Sequence, residues 1–273
     1  MTWRIGPRTR VVVDNDWAGD PDGLVALAHH LLSPTDAVVT VTGSFTSPLF
    51  GDPTGTAARG AAMARELMDL VGGHGGVPVH AGADSAFAGR PRQSEAARAI
   101  VAAAQEECVL VCGGPLTNVA DALIREPGIT ARIRLLWVGG TQEDGAAEYN
   151  RDTDPVAARF VLEHPQLRID RFPRETYRLL AVSVAELELM LTEGGPIGRW
   201  LWQRYRDLPL PEGVEVDPVW PLGDSAPLAL TALHHGAVRF SEDDGLSHHR
   251  TCTALDPRLI IGDLAARLRL SSP

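Results

Sequence analysis

The sequence predicts an α/β protein with an open, mostly parallel sheet and helices on both faces. Short apolar runs of strand length alternate along the chain with helical patterns. Each apolar run ends at Gly, Asp or Thr, residues that commonly close a strand. Successive strands joined by helices run in the same direction, because the helix carries the chain back to the starting edge of the sheet.

The predicted elements follow one another without a break that would divide the chain. The predicted strands cover residues 10–13, 37–42, 109–112 and 134–138. The predicted helices cover residues 23–32, 56–71, 94–105, 116–125 and 155–163. Hydrophobic residues at 44% and charged residues at 22% are ordinary for a globular protein with a sizeable core. Since no repeat or long Pro/Gly linker interrupts the pattern, we expect one domain over residues 1–273.

The net charge of the chain indicates which kinds of molecule it is suited to bind. The 25 basic residues, all arginine, face 35 acidic residues, and the formal net charge is −10. Such a charge disfavours nucleic acid and anionic membrane surfaces as partners and favours a small neutral substrate or a cation. The lack of lysine excludes Schiff-base chemistry and a P-loop lysine.

The cysteines and the N-terminal segment indicate a cytoplasmic protein. Cys108, Cys112 and Cys252 are too few to pair completely, and the first two lie in or beside an apolar run, so we expect buried structural thiols. The first residues lack the apolar segment of a signal peptide, and no apolar run reaches membrane-spanning length.

Four aspartates follow the first predicted strand, within residues 14–22. Carboxylates so close together repel one another unless a cation neutralises them or some become protonated. Oxygen ligands without His or Cys indicate a hard ion, calcium or magnesium. Asp20 also fits an N-cap of the next helix, with Pro21 at its first position. That role leaves the other three aspartates unexplained.

Two other proteins with aspartate-rich loops provide alternatives. An EF-hand needs a glutamate at loop position twelve, where this chain has Val25 or Leu31, counting from Asp14 or Asp20. A haloacid-dehalogenase-type phosphatase also begins with D-x-D and later uses a Gly-Asp pair, as at residues 223–224. Such a phosphatase normally needs a lysine to hold the phosphoryl group, and this chain has none.

Four segments in the same order resemble the inosine-uridine nucleoside hydrolase family. They are residues 14–22 (DNDWAGDPD), 114–120 (GPLTNVA), 137–140 (WVGG) and 147–155 (AEYNRDTDP). The corresponding family patterns are D-x-D-x-G-x-D-D, G-P-L-T-N-[IV]-A, M-G-G and A-E-F-N…D-P. Together they span about residues 10–165, and Asp224 matches a later family position. The resemblance implies a nucleoside hydrolase-like fold with a Rossmann-like core.

The resemblance also implies roles for individual residues. Asp16 corresponds to a calcium ligand that is also the general base for the attacking water. The other implied calcium ligands are Asp22, the backbone carbonyl of Thr117, and Asp224. The implied ribose-binding residues are Asp20, Ser44, Val138, Glu148 and Asn150. Asp14 and Asn118 would support the metal ligands from behind.

The implied reaction is calcium-dependent hydrolysis of the N-glycosidic bond of a ribonucleoside. Cleavage develops positive charge on the ribose ring, which nearby carboxylates stabilise in the transition state. The implied substrate is a free nucleoside, and the implied assembly is a homodimer or a homotetramer.

The chain departs from the family pattern in several places. Pro21 separates Asp20 and Asp22, which are adjacent in most members, so their two roles could be exchanged. Ser44 stands where an asparagine is usual, and the connection 141–146 is shorter. No histidine lies beside Asp224 to protonate the leaving base. These departures leave open a protein that binds ribose or nucleosides with calcium and does not cleave them.

Aromatic and histidine residues offer further candidates. A base could stack on Trp17, Phe45, Tyr149 or Trp220, although packing is the commoner role of aromatic residues near strand ends. The histidine pairs at 29–30, 234–235 and 248–249 are expected to be surface or cap residues. Only His234 or His235 could act as a remote acid.

Overall fold

The computed structural model describes residues 5–208, 217–233, 235–242 and 248–271. Its main sheet has eight strands in the order β3-β2-β1-β4-β5-β6-β10-β9. They are β1 (Thr9–Asn15), β2 (Asp36–Gly43), β3 (Val79–Ala81), β4 (Cys108–Cys112), β5 (Ile133–Val138), β6 (Arg168–Phe172), β9 (Val238–Glu242) and β10 (His249–Leu255). All neighbouring pairs are parallel except β9 and β10. The short strands β7 (Ala181–Ser183) and β8 (Val219–Pro221) form a separate antiparallel pair.

Eleven helices are assigned within the described ranges. They are α1 (Asp22–Leu32), α2 (Thr56–Val71), α3 (Glu95–Ala103), α4 (Thr117–Arg125), α5 (Tyr149–Thr153), α6 (Pro155–Leu162), α7 (Arg174–Tyr177), α8 (Val184–Thr192), α9 (Gly195–Arg206), α10 (Leu228–Thr231) and α11 (Pro257–Leu270). None of the helices in these ranges is both long and apolar enough to cross a membrane.

Hydrophobic cores lie on both faces of the sheet, as the alternation of side chains along β1 shows. Val11 and Val13 point into a core with residues of α1, α2, α9 and α11. Val12 points into the opposite core, with residues of α3, α4 and α6. Successive residues of a strand face opposite sides, so a central strand with helices on both sides is apolar throughout. The predicted fold class is confirmed.

The strand order reverses beside β1. The chain adds β2 and β3 on one side of β1, then returns to place β4, β5 and β6 on the other side. The ends of β1 and β4 are level, with Asp14 opposite Cys112. Such a reversal opens a crevice at the carboxyl ends of the two strands, where open α/β sheets bind their ligands.

The four predicted strands are all present, and the helix predicted over 56–71 has the same ends in the structure. Strand β6 was not predicted, because its sequence RIDRF lacks an apolar run. Its buried Asp170 accepts hydrogen bonds from Arg134 on β5 and Arg250 on β10. Charge pairing across strands therefore replaces the hydrophobic signal that a single sequence would show.

The prediction that the histidine pairs are surface or cap residues is wrong for the side chains of His29 and His30. Both side chains are buried in α1. Nε2 of His29 lies 2.9 Å from Oδ2 of Asp263, and Nδ1 of His30 lies 2.6 Å from Oδ2 of Asp36. Burial lowers the pKa of His29. These polar pairs hold α1 within the fold.

The other two histidine pairs each contain residues with different outcomes. His249 is buried, whereas His248 is exposed as predicted. His234, one of the two candidate remote acids, lies outside the described residues.

Candidate active site

A cavity of about 240 Å³ opens at the carboxyl end of the sheet, beside the crevice between β1 and β4. Five acidic side chains line it: Asp16, Asp20, Asp22, Glu148 and Asp224. They come from the loop after β1, the start of α1, the segment before α5 and a turn far along the chain. The parallel topology brings these separate segments to one edge of the sheet.

Asp16 lies in the tight turn that follows β1. Its backbone carbonyl accepts a hydrogen bond from the Gly19 N–H at 2.7 Å, and its N–H donates to Oδ1 of Asn15 at 2.8 Å. The Tyr149 hydroxyl donates to Oδ2 of Asp16 at 2.9 Å. Burial raises the pKa of Asp16 well above its ordinary value, and the charge of Asp20 adds to the effect.

Asp22 and Asp224 lie against each other in the wall of the same cavity. The backbone N–H of Asp224 donates to Oδ2 of Asp22 at 3.2 Å. The side-chain amide of Asn15 donates to Oδ2 of Asp224 at 2.8 Å. Burial, with repulsion from Asp20, raises the pKa of Asp22 well above its ordinary value and that of Asp224 to about 8. The surrounding residues therefore compensate the negative charge of these carboxylates poorly, so that protonation or a bound cation is favoured.

The predicted N-cap role of Asp20 is wrong. Helix α1 begins at Asp22, its N-cap is Pro21, and no side chain caps it. Asp20 is exposed on the cavity wall, where its carboxyl contacts that of Asp22. Because the side chain turns toward the cluster, it does not reach back to the helix N–H groups.

The predicted metal ligand Thr117 lies outside the lining of the cavity. This residue is the first of α4 and donates its hydroxyl to Oδ2 of Asp154 at 2.6 Å. A carbonyl in the first turn of a helix points along the helix axis, toward the next turn. Gly113, at the end of β4, lines the cavity instead. Gly113 is also close to Asp224, since a Cβ at Gly113 would lie 2.8 Å from Cγ of Asp224.

Asp14 lies beneath the cluster and connects three elements. Its Oδ1 accepts hydrogen bonds from the Thr42 hydroxyl at 2.6 Å and the Asn118 side-chain amide at 2.8 Å. The same Asn118 amide also donates to the Gly43 carbonyl at 3.2 Å. Burial raises the pKa of Asp14 to about 6. Through these contacts Asp14 and Asn118 join the aspartate loop to β2 and α4.

Three of the predicted ribose-binding residues, Val138, Glu148 and Asn150, line the cavity together. The side-chain amide of Asn150 donates to the carbonyls of Gly113 and Val138, each at 2.8 Å. Its Oδ1 is buried and has no hydrogen-bond partner among the described residues. An acceptor left free in this way is suited to a hydroxyl of a bound sugar.

The surroundings of Glu148 and Ser44 differ from those expected of residues that only bind ribose. Oε2 of Glu148 accepts hydrogen bonds from the backbone N–H groups of Gly140 at 2.6 Å and Arg151 at 2.9 Å. Its Oε1 accepts one from the Tyr177 hydroxyl at 3.2 Å. Glu148 therefore shapes the cavity wall as well as facing the cavity. Ser44 is buried and does not line the cavity.

The four aromatic candidates separate into two groups. Trp17 and Phe45 are buried in packed surroundings, and the Trp17 indole N–H donates to the Thr42 carbonyl at 2.9 Å. Tyr149 lines the acidic cavity and a second cavity of about 340 Å³, which Trp220 also lines. Only Tyr149 and Trp220 remain candidates for contact with a base.

Sequence reasoning missed Arg174, Tyr177 and Arg178, which line the cavity together with the acidic residues. They follow β6 in a segment with no family motif and no recognisable spacing from the aspartate loop. Asn15 was within the motif but had no assigned role. In the structure its side chain accepts a hydrogen bond from the Asp16 N–H and donates one to Asp224. Asn15 therefore connects two of the cavity aspartates, which its place in the motif does not reveal.

A family model described as inosine-uridine preferring nucleoside hydrolase matches residues 11–256, most of the sequence. The chain belongs to this family. Nucleoside hydrolases are N-glycosidases, so membership assigns the chain to that class of enzyme and argues against the phosphatase alternative. A relative in Schizosaccharomyces pombe, described as an uncharacterized protein, is 32% identical over 103 residues. That match covers 35% of this chain and 31% of the relative, so it spans less than a third of the relative's length.

Solved nucleoside hydrolases share the fold. A purine-preferring ribonucleoside hydrolase from Gardnerella vaginalis superposes with a TM-score of 0.72 at 17% identity, covering 96% of this chain and 99% of the other. An inosine-uridine preferring nucleoside hydrolase from Bacillus anthracis has a TM-score of 0.69 at 18% identity, with the same coverage. At such identities the likeness establishes the architecture.

Gly113 provides a test of the close packing at the cluster. A Cβ at this position would lie 2.4 Å from Nδ2 of Asn15 and 2.8 Å from Cγ of Asp224. We expect Gly113→Ala to displace both side chains and lower kcat/KM for nucleosides by at least about tenfold, or roughly 1.4 kcal/mol. Gly262→Ala is the matched control, because a Cβ there meets no atom within 4 Å. Equal activity of the two variants would contradict the expectation.

Proposed function

We propose that this protein hydrolyses the N-glycosidic bond of ribonucleosides with the help of a divalent cation, and that the cation is calcium. The observation that carries the proposal is the group of buried carboxylates Asp16, Asp22 and Asp224 around one cavity. None of the three forms an ion pair with a basic side chain of the described residues. Catalytic sites are where such strongly perturbed carboxylates concentrate.

The donor chemistry of the cluster fits a hard cation. The carboxylates and the Gly113 carbonyl offer only oxygen, the ligand that calcium and magnesium prefer. Within the described ranges, no three acidic, histidine or cysteine side chains already stand at metal-binding positions. We therefore expect Asp16, Asp22 and Asp224 to move together when the cation binds. A bound divalent cation would supply the positive charge that the cluster lacks and would acidify water.

The chain's own residues account for the rest of the reaction. Water attacks C1′ of the ribose and the C1′–N bond breaks, so the products are free ribose and the base. Asp16 takes a proton from the water, because its carboxylate lines the cavity in which the water would lie. The Tyr149 hydroxyl holds Asp16 in place through its hydrogen bond. The departing base takes up one proton.

The ribose would lie between the carboxylates and Asn150. The 2′- and 3′-hydroxyls would donate to Asp20 and to the free Oδ1 of Asn150. Positive charge on the flattened ring would be stabilised by the surrounding carboxylates more than the ground state is. The Asn150 amide, anchored on two strand ends, fixes the position of this contact.

A direct assay separates the enzyme from a protein that only binds. The protein is incubated with adenosine, inosine, uridine or cytidine and calcium, and the release of reducing sugar is measured. Free base and ribose in equal amounts support the proposal. Saturable binding of intact nucleoside, without release of sugar, would overturn it in favour of the non-catalytic alternative.

The two neighbouring aspartates should fail differently. Asp22 is buried and bonded to the backbone of Asp224, so we expect Asp22→Ala to raise the calcium concentration needed for activity. Asp20 is exposed on the cavity wall, so we expect Asp20→Ala to raise KM or lower kcat at saturating calcium. A calcium titration of both variants decides between the roles. A calcium defect in Asp20→Ala alone would mean that the roles are exchanged.

A further inference from the structure

Two arginines line the acidic cavity without neutralising its carboxylates. Arg174 belongs to α7 and Arg178 to the helical turn that follows, four residues later, a spacing that places side chains on one face. Arg174 pairs with Glu143 outside the cavity, with Nη2 3.0 Å from Oε2. Arg178 is exposed, and its guanidinium forms no ion pair or hydrogen bond with the described residues. Its charge is available to a ligand.

The shape of a nucleoside indicates which of its groups would lie near Arg174 and Arg178. Ribose carries its hydroxyls on one edge, the base at C1′, and the C5′ group at C4′, across the ring oxygen from the base. The aspartates suit the hydroxyl edge. The second cavity shares Asp20 and Tyr149 with the first. Its aromatic residues Phe50 and Trp220 suit a base, and Arg59 also lines it. Arg174 and Arg178 line only the first cavity, so they remain for the C5′ end.

We propose that Arg174 and Arg178 bind a phosphate on C5′, so that the substrates include nucleoside 5′-monophosphates. The inference rests on the proposed N-glycosidic hydrolysis and deepens it. The reaction is unchanged: water adds to C1′, the C1′–N bond breaks, and the products are ribose 5-phosphate and the base. The phosphate stays on the sugar.

The chemistry of the two side chains fits a phosphate. Guanidinium groups bind phosphate through paired, charge-assisted hydrogen bonds, and two of them match its several oxygens. Arg174 also donates from Nη1 to the Ala147 carbonyl at 2.7 Å, which leaves Nη2 as the group that would exchange partners. The present partner of Nη2 is the Glu143 carboxylate, whose side chain is 71% exposed. Exposed ion pairs of this kind contribute little stability, so a phosphate could replace Glu143 at low cost.

The first experiment compares substrates in pairs. Hydrolysis of adenosine, inosine, uridine and cytidine is measured beside that of each 5′-monophosphate, at saturating calcium. We expect kcat/KM for at least one monophosphate to exceed that of its nucleoside by about tenfold or more. In Arg178→Gln we expect this ratio to fall at least about tenfold. Arg258→Gln, whose side chain is 84% exposed on α11 away from the cavity, should keep the ratio.

The second experiment needs no turnover. Binding of ribose 5-phosphate and of ribose is measured by calorimetry in the parent protein and in Arg178→Gln. Tighter binding of ribose 5-phosphate that disappears in the variant supports the phosphate site, even if no substrate is cleaved. Equal binding of the two sugars, or an equal loss of both in the variant, overturns it. Cleavage of nucleosides without any preference for monophosphates leaves the proposed function intact and rejects this inference alone.

Discussion

Asp16→Asn is expected to lower kcat by about 10³- to 10⁴-fold, or ~4–5.5 kcal/mol in activation free energy. The amide keeps the size of the side chain and can still contact the Tyr149 hydroxyl, but it cannot accept a proton from water. It is also a weaker ligand than a carboxylate. Steady-state kinetics on a nucleoside at saturating calcium, with circular dichroism to check folding, provide the measurement.

Asp69→Asn is the matched control for this variant. Asp69 is exposed on α2, away from the cavity, so the same substitution should leave kcat within about twofold of the parent. A folded Asp16→Asn protein that retains near-normal turnover would remove Asp16 from the role of base. A loss of folding would be seen in the spectrum and resolved by testing Asp16→Glu, which restores a carboxylate.

Removal of divalent cations is expected to abolish hydrolysis. Asp16 and Asp22 are each repelled by Asp20 and Asp224, and a bound cation would offset this repulsion. The protein is treated with a chelator and dialysed, its metal content is measured, and activity is followed as calcium is added back. We expect activity below about one hundredth of the starting value, with recovery on addition of calcium.

The same titration with magnesium tests the choice of ion. Calcium tolerates irregular coordination by six to eight oxygens, whereas magnesium demands a nearly ideal octahedron. Recovery with calcium and little with magnesium would agree with a site whose ligands come from separate loops. Full activity in protein shown to be free of metal would end the cation proposal.

The sequence was informative where function depends on residues close together in the chain. The aspartate loop combines charge repulsion with a position after a strand, and both signals are local. The location of Asp14 behind the loop and of Glu148 and Asn150 on the cavity wall agrees with their positions in the motifs. The fold class followed from the alternation of apolar runs and helical patterns.

Contacts between distant segments could not be read in this way. Arg174 and Arg178 reach the cavity because β6 lies next to β5 in the sheet, and strand order is not written in any one segment. Thr117 was chosen by its position in a motif, whereas the true orientation of its carbonyl depends on where α4 begins. The buried position of His29 likewise depends on α11, which packs against α1 from the far end of the chain.

The hydrogen bond from Asn15 to Asp224 joins residues 209 positions apart, so the cluster exists only when both ends of the chain are folded together. A ligand bound there interacts with the native state and not with the unfolded chain. Calcium at one hundred times its dissociation constant should therefore add about 2.7 kcal/mol to the free energy of unfolding. The melting temperature should rise accordingly. The ion needed for the reaction would thereby also stabilise the contact between the segment around Asn15 and the segment around Asp224.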